Sequence, residues 1–394
     1  MNGQTLRSLN FEEKPAPKRI IGHVKGTLPG PTLICTSALH GNEPAGFKAL
    51  DRIFNTIRKN KITIRGEFLG LVGNLSALKE QRRFIDRDLN RGWFKEHIAA
   101  LKAGSQLLDK TEDHERLELL ENIEKVVQSA TSDIIFLDLH TTSGKSVPFL
   151  VIRDILQIRK FVLDFPMPII LGLEEQLKGT LQEYMGNLVP IGFTIEGGQH
   201  DDPKSIDQLE AGIWLTLANC GIIENQGKNG YVKYSSDALT AVTEDLPRVF
   251  EVRFRHSMKP QDRFRMKPGY ESFQTIKQDE ILGRDATGEV KAEEKGRILM
   301  PLYQAQGEDG YFIIHEFNSI WLTVSEYLRR LQLDSVLHLL PGVKEFRGQK
   351  DTLIISKMII RFFAIEIFHL LGYQKIRMMG KNIIMRRRLD ILPK

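Results

Sequence analysis

Short apolar runs alternate with amphipathic helical patterns through the first two hundred or so residues of this chain. Each run has the length of a buried strand, and the apolar residues between the runs recur every three or four positions, as on one face of a helix. Strands that alternate with helices indicate an α/β fold, in which helices cover both faces of a mostly parallel sheet. The predicted strands are 32–36, 66–72, 133–139, 148–152, 168–171 and 193–196, and the clearest predicted helices contain 47–57 and 206–217.

The pattern changes after about residue 225, and we therefore predict three segments. The stretch Glu224–Gly230 is typical of a linker. Beyond it, apolar and charged residues alternate over 250–255 and turn residues recur at short intervals, which predicts a small all-β module. Helical spacing then returns, with Leu333, Val336, Leu337 and Leu340 on one side. The predicted division is 1–225 for a catalytic α/β domain, 226–320 for a smaller all-β second domain and 321–394 for a mainly helical C-terminal extension of unknown role.

Charge and cysteine content exclude several classes of protein. A net charge of +5 over 394 residues is too small to indicate a nucleic-acid binder, although the pI near 9.0 suits small anionic substrates. Two cysteines cannot form a disulfide framework, which favours a reducing compartment, and residues 1–7 lack the apolar region of a signal peptide, so we expect a cytoplasmic protein. The most apolar late stretch, 358–371, contains Arg361 and Glu366 and is too short to span a bilayer, so no membrane association is expected.

A histidine comes after the carboxyl end of each of two predicted strands. In an open α/β sheet, ligands collect at these ends of the strands. His40 and Glu43 lie between one strand and the next helix, and His140 comes at the end of another strand. Together they make a His₂Glu set, which is typical of catalytic zinc with a fourth position left open. Asp138 precedes His140 by two residues, so it shares a strand face with His140 and is predicted to orient a ligand.

Each half of this set also has a structural interpretation. A lone His-x-x-Glu pair occurs by chance in many helices, and ten histidines make one at a strand end unremarkable. Either half alone is more typical of a structural role, whereas both at strand ends of one α/β domain favour a metal site. His200 is a rival ligand, which we rank below His140 because it lies beyond its strand in an Asp-rich loop.

The segment 81–91 is dense in arginine and aspartate. Such a segment is usually a solvated surface whose charges pair with one another. The functional alternative is an anion clamp, because a guanidinium fork matches a carboxylate in a bidentate manner. Arg83 and Arg91 would contact different atoms of one ligand, and Asn90 would add an amide donor. Asp86 and Asp88 are expected to hold the arginines in place.

Glu196 ends an apolar run and is followed by two glycines. A glutamate in this position is often a helix cap or a salt-bridge partner. In a metal site it would act as the general base for metal-activated water, and the glycines would let backbone and substrate approach closely.

Five motifs in this order resemble the succinylglutamate desuccinylase/aspartoacylase family of zinc carboxypeptidase-like deacylases. The resemblance covers roughly residues 30–320, and the β-module is similar to the family's C-terminal domain, where it would cap the site. The motifs are His40-Gly-Asn-Glu43, Gly73-Asn74, Arg83-Phe-Ile-Asp-Arg-Asp-Leu-Asn90-Arg91, Asp138-Leu-His140-Thr and Thr194-Ile-Glu196.

The resemblance implies a role for each matched residue. His40, Glu43 and His140 would bind one zinc ion per chain. Arg83 would polarise the scissile carbonyl and stabilise the developing oxyanion, and Glu196 would be the general base and later the proton donor. Asn90 and Arg91 would hold a substrate carboxylate.

The function implied is a zinc-dependent hydrolase that cleaves the amide bond of an N-acyl amino acid or a related small carboxylate-bearing amide. One alternative is a metallocarboxypeptidase acting on short peptides, and another is a non-catalytic metal-binding or interaction protein on the same fold.

The C-terminal segment also has an apolar face, which we assign to core packing, with a contact between copies of the chain as the alternative. Its residues are Ile359, Phe362, Phe363 and Phe368. The basic run 386–388 is assigned to a solvated strand end or helix cap.

Overall fold

The computed structural model describes residues 17–104, 109–224, 230–332, 337, 342–346, 349–356, 368, 370–379, 382–388 and 390. The strands are β1 (Ile20–Lys25), β2 (Leu28–Ser37), β3 (Arg65–Val72), β4 (Ile134–Thr142), β5 (Phe149–Ile152), β6 (Ile169–Leu171), β7 (Ile191–Gln199), β8 (Val249–Ser257), β9 (Arg265–Met266), β10 (Thr275–Ile276), β11 (Ile281–Asp285), β12 (Gly288–Lys291), β13 (Gly296–Leu299), β14 (Asp309–Glu316), β15 (Val343–Phe346), β16 (Gln349–Ser356), β17 (Tyr373–Met379) and β18 (Asn382–Arg387). The helices are α1 (Ala45–Lys59), α2 (Leu75–Glu80), α3 (Lys95–Lys102), α4 (Thr111–Ser129), α5 (Leu156–Val162), α6 (Leu173–Gln176), α7 (Leu181–Met185), α8 (Lys204–Asn219), α9 (Tyr231–Thr243) and α10 (Ile320–Arg330), with a 3₁₀ turn at Pro260–Asp262.

An eleven-stranded mixed sheet forms the centre of the molecule, in the order β1-β3-β2-β4-β7-β5-β6-β8-β14-β13-β10. Strands β3, β2, β4 and β7 are parallel neighbours, so their carboxyl ends meet at one edge of the sheet. All six predicted strands are present, which confirms the α/β fold class. Strand β1 was not predicted, because it is an antiparallel edge strand with no fully buried residue.

Helices cover both faces of this sheet. Leu33 and Cys35 of β2 pack with α1 and α8, whereas Ile34 between them packs with α3 and α4 on the opposite face. Phe54 of α1 lies so close to the sheet that a Cβ at Gly70 would come within 2.6 Å of its ring, so this contact requires glycine.

The segment predicted as an all-β module differs from that prediction in two respects. It begins with helix α9, and four of its strands, β8, β14, β13 and β10, continue the central sheet. Only β12, β11 and β9 form a separate sheet among the described residues of this segment. The module is therefore joined to the α/β part through strand pairing.

The described residues of the C-terminal extension do not match the prediction of a mainly helical segment. Besides α10, its described residues form an antiparallel sheet in the order β15-β16-β18-β17. Leu337 and Phe368 are buried in the core of this segment, and the other residues on which the helical and apolar-face predictions depended lie outside the described residues. They are Leu333, Val336, Leu340, Ile359, Phe362 and Phe363. Arg386 is exposed at the end of β18, as expected for a solvated strand end, but Arg388 is buried.

Two further expectations concern cysteines and membranes. Cys35 and Cys220 are both free. Within the part of the chain that the structure describes, no helix is both long enough and apolar enough to cross a bilayer.

A buried ion cluster ties the C-terminal segment to the α/β core. The Nη2 of Arg329 and the Nη1 of Arg388 donate to Oδ2 of Asp154 at 2.7 and 2.9 Å, and Arg159 donates to its Oδ1. Arg388 also donates to Glu175 of α6. Burial alone would raise the pKa of Asp154, but the three guanidinium groups outweigh it and hold that pKa well below its usual range.

Replacing Asp154 with alanine is expected to lower the free energy of unfolding by about 3–5 kcal/mol, because it leaves buried guanidinium groups without their counter-charge. Urea unfolding at pH 7 measures the loss. Asp237→Ala is the matched control, because its pair with Lys233 is exposed and is worth at most about 1 kcal/mol. An equal loss in both variants would contradict the role of the cluster.

The same carboxylate predicts a pH dependence. Because folding lowers its pKa, Asp154 stabilises the fold fully above the unfolded-state pKa of about 3.9 and loses this contribution as the pH falls through the folded-state value. The difference between wild type and Asp154→Ala should therefore shrink below about pH 4.

Candidate active site

The site lies at the sheet edge where β2, β4 and β7 end. The residue after β2, Ala38, has a left-handed backbone with φ of 50°, and the chain turns there before α1. Gly41 in this turn packs against α2, where a Cβ would come within 2.0 Å of the backbone of Ala77, so only glycine fits. This tight turn carries His40 and Glu43. His140 lies within β4, in register with Glu196 on β7.

Both histidines present Nδ1 to the same carboxylate. The Nδ1 of His40 lies 2.7 Å from Oε1 of Glu43, and the Nδ1 of His140 lies 3.0 Å from Oε2. The Thr141 backbone N–H donates to Oε2 at 3.1 Å. All three side chains are buried, and one potential ligand atom from each lies within 4.8 Å of the others.

The outward nitrogen of each imidazole contacts another carboxylate. The Nε2 of His40 lies 3.1 Å from Oδ1 of Asp88, and the Nε2 of His140 lies 3.0 Å from Oδ2 of Asp138, as predicted for Asp138. The hydroxyl of Thr36 donates to the other oxygen of Asp138 at 2.6 Å. A carboxylate on Nε2 fixes the ring orientation and favours the tautomer whose Nδ1 has a free lone pair.

Strong electrostatic coupling links these groups. Burial alone would raise the pKa of Glu43, but His40 and His140 outweigh it, and the pKa is well below its usual value. Burial alone would lower the pKa of His140, but Asp138 and Glu43 outweigh it, and the pKa is well above its usual value. The carboxylates therefore favour positive charge at the centre of the cluster.

This donor set fits a divalent cation. Two imidazole nitrogens and one carboxylate converge in a buried space, both rings are oriented from behind, and the surrounding charge is negative. Two histidines and a glutamate are a common ligand set for catalytic zinc. His40, Glu43 and His140 are the residues that would hold it.

Arg83 lies beside the cluster and lines the same cavity. Its Nε and Nη2 donate to Oδ2 of Asp88 at 3.2 and 2.9 Å, and its Nη1 lies 3.7 Å from Oε1 of Glu43. Asp88 thus holds the arginine, as expected. Asp86 does not: it accepts the backbone N–H of Thr111 at 2.8 Å and caps α4.

Asn90 and Arg91 line the cavity, where the amide oxygen of Asn90 and the guanidinium nitrogens of Arg91 already have protein partners. The Oδ1 of Asn90 accepts the backbone N–H of Leu181 at 2.8 Å. Arg91 pairs through Nε with Glu308 at 3.3 Å and through Nη2 with Asp309 at 3.2 Å. A substrate carboxylate would therefore have to share or displace these acidic partners.

Glu196 lines the cavity with a buried Oε2 that has no hydrogen-bond partner. Burial raises the pKa of Glu196 to about 8, and Glu43 and Asp138 add to the rise while His140 opposes it. A carboxyl group without a partner, beside a candidate metal site, is suited to exchanging protons with a ligand.

His200, the rival ligand, lies outside the three-ligand group. Its Nδ1 lies 2.7 Å from the hydroxyl oxygen of Thr141, and its Nε2 lies 3.3 Å from Oε1 of Gln304. The same Gln304 oxygen accepts from Asn42 at 2.8 Å. His200 therefore connects Thr141 of β4 with Gln304 in the loop after β13.

Sequence reasoning missed two residues that line the cavity, Glu174 of α6 and Gln182 of α7. No motif marks them. They could have been found only from their position in the fold, since each is far along the chain from the segment 81–91 that lines the same cavity.

Comparison of the amino-acid sequence with known proteins shows which family this chain resembles. Residues 29–218 match the family model of the succinylglutamate desuccinylase/aspartoacylase catalytic domain, which confirms the resemblance drawn from the motifs. The succinylglutamate desuccinylase of Pseudomonas putida is 37% identical over 62 residues, and that of Erwinia tasmaniensis is 30% identical over 59 residues. Each match spans 18% of the relative's length, and they cover 16% and 15% of this chain, respectively.

Solved structures share the fold over a longer stretch. A succinylglutamate desuccinylase/aspartoacylase from Rhodobacter sphaeroides has a TM-score of 0.54 at 17% identity, over 75% of this chain and 88% of that chain. An ectoine utilization protein from Ruegeria pomeroyi, solved with product bound, has a TM-score of 0.54 at 16% identity, over 74% of this chain and 87% of that chain. At these identities the likeness shows a common fold.

Proposed function

We propose that this chain, whose residues 29–218 belong to the succinylglutamate desuccinylase/aspartoacylase family, is a zinc-dependent hydrolase of N-acyl amino acids or related small carboxylate-bearing amides. One observation carries the proposal: two imidazole Nδ1 atoms converge on Glu43 in the cavity that also contains the partnerless carboxyl of Glu196.

The mechanism follows from what each side chain can do. Zinc held by His40, Glu43 and His140 would supply a Lewis acid and lower the pKa of a water molecule toward about 7. Glu196 accepts a proton from the attacking water on its carboxylate and later gives it to the leaving amine. Arg83 directs guanidinium N–H groups at the oxygen of the amide carbonyl as negative charge develops there, and one such donor is typically worth about 3–4 kcal/mol.

The rest of the cavity positions and encloses the substrate. Asn90 and Arg91 hold the substrate carboxylate and contribute orientation rather than proton transfer. Met300, Leu302 and Gln304, which follow β13, line the cavity and cover it from the β-module. This cover favours small amides over peptide chains.

The experiment begins with the metal content of the purified protein. We expect about one zinc per chain, since one buried His₂Glu set is present among the described residues. The zinc-loaded protein is then given N-acetyl and N-succinyl amino acids, with dipeptides as the comparison class. Hydrolysis of the N-acyl amino acids should exceed that of the dipeptides, should disappear on chelation and should return on addition of zinc.

Two results would contradict the proposal. Faster hydrolysis of dipeptides would indicate a metallocarboxypeptidase. Bound zinc without hydrolysis of any amide would indicate a metal-binding protein without this activity.

A further inference from the structure

Glu174 and Gln182 form a polar wall of the active-site cavity that has no assigned role. Both carboxylate oxygens of Glu174, and both polar atoms of the Gln182 amide, are buried without a hydrogen-bond partner. The cation nearest to Glu174 is Arg153, whose Nε lies 3.8 Å from Oε2, beyond hydrogen-bond distance. Burying two polar side chains in this way is costly unless a ligand satisfies them.

The charge of the cavity indicates which ligand does so. The cavity is lined by two arginines, Arg83 and Arg91, and each of them forms ion pairs with two carboxylates. The acidic residues in the lining outnumber them: Glu43, Asp138, Glu174, Glu196, Glu308 and Asp309. Three of them lie around the metal ligands and two pair with Arg91, which leaves Glu174 with no counter-charge at hydrogen-bond distance among the described residues, since the Nε of Arg153 is 3.8 Å away. A cationic group supplies that counter-charge, whereas a second anion would be repelled.

Gln182 follows a residue that contacts one of the proposed carboxylate-binding residues. The Oδ1 of Asn90 accepts the backbone N–H of Leu181, the residue before Gln182, at 2.8 Å. Because Asn90, Glu174 and Gln182 line one cavity, a substrate whose carboxylate lies at Asn90 can place its amino-acid side chain beside Glu174 and Gln182.

We propose that Glu174 and Gln182 form a specificity subsite that binds a cationic, hydrogen-bond-donating group on the side chain of the N-acyl amino acid. This inference rests on the proposed hydrolase function and narrows its substrate class. It also differs from the expectation of a wholly anionic substrate: the substrate carries a carboxylate and an ammonium or guanidinium group together.

Three amides of similar length test the subsite: Nα-acetyl-L-ornithine, N-acetyl-L-norvaline and N-acetyl-L-glutamate, which differ in side-chain charge. For the zinc-loaded wild type, kcat/KM should be highest for the ornithine amide, by about tenfold to a hundredfold over the norvaline amide, since a hydrogen bond to a charged group is worth that much. Binding of free ornithine and norvaline, measured by calorimetry, should follow the same order.

Variants separate recognition from structure. Glu174→Gln should lower the ratio of kcat/KM for the ornithine amide to kcat/KM for the norvaline amide by about tenfold or more. Gln182→Glu adds a carboxylate and should increase the preference for ornithine. Glu175→Gln is the matched control: it removes the same charge from α6 outside the active-site cavity, and the ratio of the two kcat/KM values should not change.

The outcomes are distinguishable. Hydrolysis that favours the glutamate amide, or an equal loss for all three amides in Glu174→Gln, overturns the subsite and leaves the hydrolase function standing. No hydrolysis of any amide by the zinc-loaded wild type contradicts the proposed function and the subsite together.

Discussion

Replacing Glu196 with glutamine is expected to lower kcat by between about a hundredfold and ten thousandfold, the range that a positioned general base contributes. The amide keeps the size of the side chain and its place on β7 but cannot accept the proton of the attacking water. Metal content should stay the same, because Glu196 lies outside the three-ligand group.

The measurement is single-substrate kinetics at a matched zinc content. Glu121→Gln, the same change on the exposed face of α4, serves as the control and should keep full activity. If the Glu196 variant turned over as fast as the control, another group would have to be the base.

The second expected result concerns the metal. Replacing His140 with alanine should reduce bound zinc from about one per chain to near zero and activity to background, because only two of the three ligands remain. Asp138→Asn should be milder, with zinc affinity about 10- to 100-fold weaker, since the side chain orients His140 without binding the metal itself.

His200→Ala is the matched control, because it removes an imidazole from the same cavity outside the three-ligand group. It should keep its zinc. Loss of zinc in this variant together with retention in His140→Ala would reverse the ranking of the two histidines. Circular dichroism of each variant checks that the fold is intact.

The central strands could be predicted from sequence because they are buried on both faces and therefore form continuous apolar runs. Helix α4 lacked such a signal. Its first turns bury Glu112, Asp113 and Arg116, and Glu112 accepts backbone N–H groups from Ile85 and Asp86. A buried face that is partly charged does not show the apolar spacing of an ordinary amphipathic helix.

The convergence of His40, Glu43 and His140 could be predicted because they lie at the carboxyl ends of strands that must meet. The partners of Arg91 could not, because Glu308 and Asp309 lie more than two hundred residues further along the chain and reach it only through pairing of β14 with β8. Asp88 was predicted as a support for arginine, but its second contact, with His40, depends on how the loop folds over the turn after β2.

The short helix α6 connects two parts of the molecule that the sequence keeps far apart. Glu174 faces the active-site cavity, while its neighbour Glu175 accepts from Arg388 near the C-terminal end of the chain. A shortened version of the chain that stops before Arg388 would leave Glu175 without this partner and remove one of the three arginines around Asp154. The helix that carries Glu174 is thus held in place by a residue that directly follows β18, and a redesign of either segment must preserve this contact.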